Sequence, residues 1–112
     1  MKITPITGNR DFQRVYRHGK NCVSPGLVTY VLKNKNNNLR IGITTSKKVG
    51  KAVRRNRSRR VIRAAFSHIG VDTDLNYDII FVARTKTCFL KSYDVERYMR
   101  EHLRSLGILK SS

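Results

Sequence analysis

The spacing of apolar residues along the chain predicts three amphipathic helices, over residues 9–18, 52–69 and 92–106. In each segment apolar side chains recur three and four positions apart, which places them on one face of a helix. Asn, Ser and Gly residues at the ends of these segments are typical helix boundaries. Each predicted helix therefore has one face available to pack against a core.

Runs rich in β-branched and aromatic residues predict the strands. Leu27–Lys33 and Leu39–Ser46 flank an Asn-rich turn, an arrangement that favours an antiparallel hairpin. Asn21–Ser24 is a candidate further strand, although Pro25 would interrupt its ladder. Tyr77–Arg84 is mostly apolar, which is typical of an interior strand buried on both faces. The predicted order is α, two or three strands, α, β, α, and the fold class is α+β.

Composition supports one folded domain over residues 1–112. Hydrophobic residues make up 39% of the chain, enough for a core at this length. No apolar run approaches the roughly 18 residues that cross a bilayer, and the first residues lack the apolar stretch of a signal peptide. We therefore expect a soluble cytoplasmic protein with no membrane contact.

The charge is large and unevenly placed. Lys and Arg number 24 against 7 Asp and Glu, which gives a net charge of +17, and residues 12–71 contain no carboxylate. Self-repulsion on this scale favours a polyanionic partner, and nucleic acid is the common one in the cytoplasm. Arg predominates over Lys in residues 47–63, and its planar guanidinium suits bidentate phosphate contacts. The candidate nucleic-acid-binding residues are Lys47, Lys48, Lys51, Arg54, Arg55, Asn56, Arg57, Arg59, Arg60 and Arg63.

A second candidate surface is aromatic. Two rings lie one turn apart on the first predicted helix, and a third shares a strand face with apolar neighbours, beside polar positions of the next strand. Rings in such surroundings can stack unpaired bases. The alternative is that the two helix rings only attach the helix to the sheet. The residues of this surface are Phe12, Tyr16, Val28, Tyr30, Arg40 and Thr44.

The residues offer little for catalysis by the protein itself. The few acids form no converging pair, and no nucleophile motif is present. Cys22 and Cys88 are far apart in the sequence, and the three His residues are scattered without ligand spacing. We expect no catalytic residue, no metal site and no cofactor bound by the protein alone.

The Arg-rich segment resembles a known family signature. Val49–Arg63 closely resembles the Arg-Asn-Arg signature of the bacterial ribonuclease P protein subunit, and Asp11–Gly19, Ile43–Lys48 and Asp78–Arg84 also resemble that family. The resemblance covers nearly the whole chain. Ser58 departs from the pattern, because the family usually has an aliphatic residue there, and the segment before the first helix is short and poor in basic residues.

This resemblance implies an α/β sandwich of order αβββαβα, with a four-stranded sheet and an unusual left-handed βαβ crossover. It implies a subunit of an endoribonuclease, in which a large catalytic RNA and its Mg²⁺ ions remove the 5′ leader of precursor tRNA. The catalytic RNA and precursor tRNA would be the partners, with no protein partner required. The Arg-rich residues would contact the catalytic RNA. The residues Phe12, Tyr16, Val28, Tyr30 and Thr44 would bind the single-stranded leader.

Two other functions use the same charge. A purely structural RNA-binding protein, such as a ribosomal component, would not affect leader cleavage and would need no aromatic cleft. Duplex DNA binding would need base-reading side chains interleaved in the basic helix, and Asn56 alone is available there.

Overall fold

The protein is built on a mixed five-stranded sheet. The computed structural model describes residues 4–35, 38–71 and 75–109. The strands are β1 (Thr4–Pro5), β2 (Lys20–Ser24), β3 (Leu27–Lys33), β4 (Arg40–Thr44) and β5 (Tyr77–Val82). The helices are α1 (Asn9–His18), α2 (Ala52–Ser67) and α3 (Ser92–Ser105). The strand order is β1-β4-β5-β3-β2, with β1, β4 and β5 parallel and β3 antiparallel to both of its neighbours.

The α+β class is confirmed, but the predicted hairpin of β3 and β4 is wrong. Strand β5 lies between them, so that Ile80 is paired with Tyr30 on one side and with Gly42 on the other. The antiparallel partner that a tight turn joins to β3 is β2, which precedes it in the chain and connects through Pro25-Gly26. The prediction that the mostly apolar β5 is an interior strand is confirmed, but its sequence does not show that β3 and β4 are the strands on either side of it.

The predicted count of four strands is also wrong, because β1 makes a fifth. This strand contains only Thr4 and Pro5, and two residues are too few to show the alternation of apolar and polar side chains by which strands are predicted. The three predicted helices are confirmed, each ending within two residues of the expected boundary. Positions 36–37 of the predicted turn and 72–74 of the predicted connector lie outside the described residues. The left-handed sense of the β4–α2–β5 crossover stays a prediction.

The main core lies between the sheet and the pair α2 and α3. Phe66 of α2 and Phe81 of β5 have ring centroids 5.6 Å apart, and Met99 and Leu103 of α3 are fully buried. Ser58 is buried on this apolar face of α2, where its hydroxyl donates to the Arg54 carbonyl at 2.9 Å. A serine can therefore replace the aliphatic residue that is usual in the family, because its hydroxyl hydrogen-bonds to a backbone carbonyl one turn earlier in the same helix.

Helix α1 covers part of the opposite face. It is held at one end by Asp78, a fully buried carboxylate on β5. The Arg40 guanidinium donates to both Asp78 oxygens, at 2.8 and 2.7 Å, while Arg14 of α1 donates at 3.0 Å and the Asn34 amide at 2.7 Å. This network attaches α1 to one end of the sheet and leaves the other end of that face accessible. Among the described residues, no helix is long and apolar enough to cross a membrane.

Candidate nucleic-acid interface

Three aromatic rings mark the boundary between α1 and the uncovered part of the sheet. The rings of Tyr16 and Tyr30 meet edge to face with centroids 4.9 Å apart, and Phe12 lies 6.4 Å from Tyr16. The Tyr16 hydroxyl shares a hydrogen bond of 3.3 Å with the Thr44 hydroxyl. All three rings are only partly buried. They therefore attach α1 to the sheet and also present aromatic surface to solvent.

The uncovered part of the sheet is a row of small side chains beyond α1. Val28, Val82 and Thr44 lie side by side on three neighbouring strands, and each is partly exposed. At the end of this row Val23 of β2, paired with Val28, is 60% exposed. Val82 was missed in the sequence because the residues of β5 from Ile79 onward are all apolar, so that their pattern does not show which of them face outward.

Arg40 lies on this face as predicted from strand alternation, but its side chain is only 14% exposed. Its guanidinium nitrogens contact Asp78 and, at 3.3 Å, Asp11. The hydrogen bonds that Arg40 donates to Asp78 outweigh the opposing effect of burial and raise the pKa of Arg40. The N–H groups of Arg40 are directed at the carboxylates of Asp78 and Asp11. Arg40 therefore holds neighbouring elements together and is not among the residues that we expect to contact a ligand.

Gly42 explains how Phe12 reaches β4. A Cβ atom at this position would lie 2.8 and 2.9 Å from two carbons of the Phe12 ring. Only glycine lets the ring lie directly on the strand. Gly42 lies at the β4 end of the row that continues through Ile80 to Tyr30, so the small residue sets how closely Phe12 approaches the sheet beside that row.

The predicted cations lie on one turn and one helix. Lys47 and Lys48 begin a single 3₁₀ turn, which Gly50 ends with a φ of 121°, and Lys51 caps α2. The positive φ favours glycine and turns the chain from the 3₁₀ segment into the helix. Of the ten candidate residues, Arg55 and Arg59 are partly buried and the others are exposed.

The structure divides the array, which the sequence presents as one face, between two clefts. Arg59 and Arg63 face a cleft of about 430 Å³ whose other side includes Phe12, Gly42 and Ile43. We call this space, together with the three rings and the row of Val28, Val82 and Thr44, the aromatic cleft. Its lining also includes residues that the sequence did not predict, namely Pro5, Ile6, Ile41 and Phe66.

The second cleft lies on the opposite flank of α2. It has a volume of about 320 Å³ and lies between Arg57 and Arg60 of α2 and Lys91 and Ser92 at the start of α3. We call it the α2–α3 cleft. One Arg-rich helix thus supplies guanidinium groups to two separate concave surfaces.

The charges of this array are not neutralised within the protein. In the part of the chain that the structure describes, no salt bridge involves a cation of residues 47–63. Arg59 instead donates to the Asn56 side chain at 3.1 Å, and Arg57 donates to the Cys88 carbonyl at 2.7 Å. Both contacts orient a guanidinium and leave its charge available to an anion.

Among the described residues there is no group of three or more His, Cys, Asp or Glu side chains that could hold a metal ion. His102 is buried against β3, where its Nδ1 lies 2.8 Å from the Thr29 hydroxyl. Burial lowers the pKa of His102, and the charge of Glu101 opposes this only in part. His102 therefore ties α3 to the sheet and belongs to the core.

An open aromatic sheet face beside an uncompensated guanidinium array defines a class: a basic α+β protein whose surface suits nucleic acid. The sequence model of the family described as Ribonuclease P matches residues 2–107. The ribonuclease P protein component of Clostridioides difficile (strain 630) is 40% identical over 100 residues, covering 88% of this chain and 87% of the relative. The chain belongs to the ribonuclease P protein family, whose members associate with ribonuclease P RNA and serve in tRNA processing.

Solved structures agree with this assignment. The Staphylococcus aureus RNase P protein superposes with a TM-score of 0.80 at 32% identity, covering 96% of this chain and 98% of that one. The RNase P protein from Thermotoga maritima gives a TM-score of 0.74 at 25% identity, with the same coverage of both chains. The mixed sheet with three helices is thus the fold of this family.

Proposed function

We propose that this protein is the subunit of a bacterial ribonuclease P that binds both the catalytic RNA and the 5′ leader of precursor tRNA. One observation carries the proposal: the cleft beside α2 brings the partly exposed ring of Phe12, which adjoins the Tyr16 ring, together with Arg59 and Arg63. Rings can stack bases only when these are unpaired, and guanidinium groups hold the accompanying phosphates. A single strand of RNA meets both requirements, and the 5′ leader is a single-stranded segment that precursor tRNA carries and mature tRNA lacks.

The exposed cations on and before α2 would bind the catalytic RNA. Their charge is uncompensated in the free protein, so each phosphate contact releases a counterion from the RNA. Neutralising RNA phosphates lowers the concentration of Mg²⁺ needed to bring the catalytic RNA and its substrate together. In this proposal the RNA holds the catalytic Mg²⁺ in the cytoplasm, and the protein binds and orients the substrate.

Reconstitution tests the proposal directly. The protein is added to the ribonuclease P RNA of the same genome at a low Mg²⁺ concentration, and cleavage of precursor tRNA is followed. We expect the protein to restore release of the leader and formation of the mature 5′ end. If it binds the RNA without stimulating cleavage, the protein is a structural RNA-binding component and the proposal is wrong.

The leader site has its own test. Phe12→Ala and Tyr16→Ala should each weaken binding of the assembled enzyme to precursor tRNA by about 1–3 kcal/mol, the usual value of a lost base stack. Binding to mature tRNA, which lacks the leader, should be unchanged. Tyr16→Phe is the matched control, because it keeps the ring and removes only the hydrogen bond to Thr44. Equal losses on both RNAs would show that these rings serve packing alone.

A further inference from the structure

Two exposed aromatic rings lie away from the aromatic cleft. Phe89 is 68% exposed and Tyr93 is 64% exposed, and they are the two aromatic residues among the exposed large hydrophobic side chains of the described residues. Neither belongs to the core clusters on the two faces of the sheet. Phe89 ends a short 3₁₀ turn (Thr87–Phe89), and Tyr93 lies in the first turn of α3. Core packing therefore does not explain why the chain has an aromatic residue at either position.

Cations of α2 are arranged around this segment. The Arg54 guanidinium carbon lies 5.3 Å from the centre of the Phe89 ring. Arg57 is fixed beside the same turn by its 2.7 Å hydrogen bond to the Cys88 carbonyl. Lys91, between the two rings in sequence, lines the α2–α3 cleft with Arg57 and Arg60. The surface thus repeats the combination found in the aromatic cleft, exposed rings next to cations, on the other flank of α2.

We propose that this surface is a second RNA-binding site, in which unpaired bases stack on Phe89 and Tyr93 while Arg57, Arg60 and Lys91 hold the adjoining phosphates. The inference rests on the proposed function in one respect, that the partner is RNA. It adds a single-stranded segment of the catalytic RNA as the ligand of this flank.

Charge and geometry favour unpaired RNA over a protein or a duplex. The surface carries the cations Arg54, Arg57, Arg60, Lys86 and Lys91, all of them exposed. Its nearby carboxylate, Asp94, is occupied by the backbone amide of Lys91 at 3.2 Å, where it caps α3. A duplex offers phosphates but keeps the faces of its bases stacked inside, so it cannot use the two rings. Flexible unpaired nucleotides can use both the rings and the cations.

Alanine substitution gives the first test. The Kd of the full-length protein for ribonuclease P RNA is measured for Phe89→Ala and Tyr93→Ala, with Val53→Ala as the matched control. Val53 is 76% exposed on α2 and has no ring. Each ring variant should weaken binding roughly 5- to 150-fold with an unchanged salt dependence, because stacking involves no counterion release. Binding equal to that of Val53→Ala would overturn the inference.

The chain contains no Trp, which allows a second, local test. Phe89→Trp introduces a single indole that keeps an aromatic ring at the site. Single-stranded oligouridylate of about 12 nucleotides should quench its fluorescence, since this length spans a typical single-strand site. An RNA duplex of the same length should leave it unchanged. Equal quenching by both RNAs, or quenching by neither, would contradict base stacking at Phe89.

The proposed function and this inference fail in distinguishable ways. If the wild-type protein does not stimulate cleavage by the catalytic RNA, the proposed function is wrong, whatever the ring variants do. If it stimulates cleavage and the ring variants bind the catalytic RNA as the wild type does, only this inference is wrong. If the ring variants instead lose discrimination between precursor and mature tRNA, the rings act on the leader and the second site does not exist.

Discussion

Asp78 connects helix α1 to the sheet beside the aromatic cleft. Its carboxylate is fully buried and accepts hydrogen bonds from Arg40, Asn34 and Arg14. Burial by itself would raise the pKa of this carboxyl, but the hydrogen bonds from Arg40 and Asn34 outweigh it and hold the pKa below its usual value. Asp78 is therefore ionised in the folded protein at neutral pH, and its negative charge pairs with the guanidinium groups of Arg40 and Arg14.

Replacing this charge should be costly. Asp78→Asn should lower the free energy of unfolding at pH 7 by about 3 kcal/mol, near the lower end for breaking a buried ion pair, because Asn can still accept one hydrogen bond. Urea denaturation measures the change. Glu101→Gln, which removes an exposed carboxylate from α3, is the control and should have little effect.

The same variant makes a prediction about pH. The pKa of Asp78 is lower in the folded protein than in the unfolded chain, where it is about 4, so the unfolded state binds the extra proton as the pH falls. The stabilisation by the Asp78 charge is therefore complete above about pH 5 and is lost as the pH falls through the folded pKa. The difference in stability between wild type and Asp78→Asn should shrink at about pH 3. An equal difference at both pH values would contradict this assignment.

Gly42 should be the position at which one added methyl group disturbs the aromatic cleft. Gly42→Ala places a carbon within 3 Å of the Phe12 ring, so the ring must move, and we expect a loss of about 1–3 kcal/mol of stability. Affinity for precursor tRNA should fall with it. Gly70→Ala is the control, because a Cβ there meets no atom within 4 Å and should be neutral or slightly stabilising. Thermal unfolding of both variants provides the comparison.

At the scale of elements, periodicity predicts the helices because apolar residues recur three and four positions apart in each of them, in α2 only over its second half, where the buried residues lie between Ser58 and Phe66. Strand pairing is different, because it depends on contacts between residues distant in sequence. Strand alternation placed Arg40 on the correct face, yet its partner Asp78 lies 38 positions further on. The position of β5 between β3 and β4 also depends on contacts between residues distant in sequence. The exposure of Phe89 depends on such contacts too. Sequence patterns supplied the candidate groups, and tertiary packing decides which of them are exposed.

In the proposed function helix α2 contributes to RNA binding through charge, so its substitutions should change the salt dependence of binding. Arg59→Ala should weaken binding of the assembled enzyme to precursor tRNA and reduce the slope of log K against log salt by about 0.7–0.9, one phosphate contact. Arg104→Ala removes an exposed cation from the far end of α3 and should leave the slope unchanged. Titrations at several salt concentrations separate the two. An unchanged slope for Arg59→Ala would remove this residue from the phosphate-binding set.

For the whole molecule, the net charge of +17 is confined to a body of about 36 × 35 × 24 Å. Self-repulsion within a Debye length, about 10 Å at 0.1 M salt, opposes folding of the free protein. Raising NaCl from about 0.02 to 0.3 M should therefore raise the Tm of the free protein, since screening weakens repulsion. The same change should weaken RNA binding, because each counterion released from the RNA gains less entropy when the salt concentration of the solution is higher. Saturating RNA at low salt should raise the Tm further by neutralising the cations. A Tm that falls with salt in the free protein would show that its stability depends more on its ion pairs, such as Arg40 with Asp78, than on relief of repulsion.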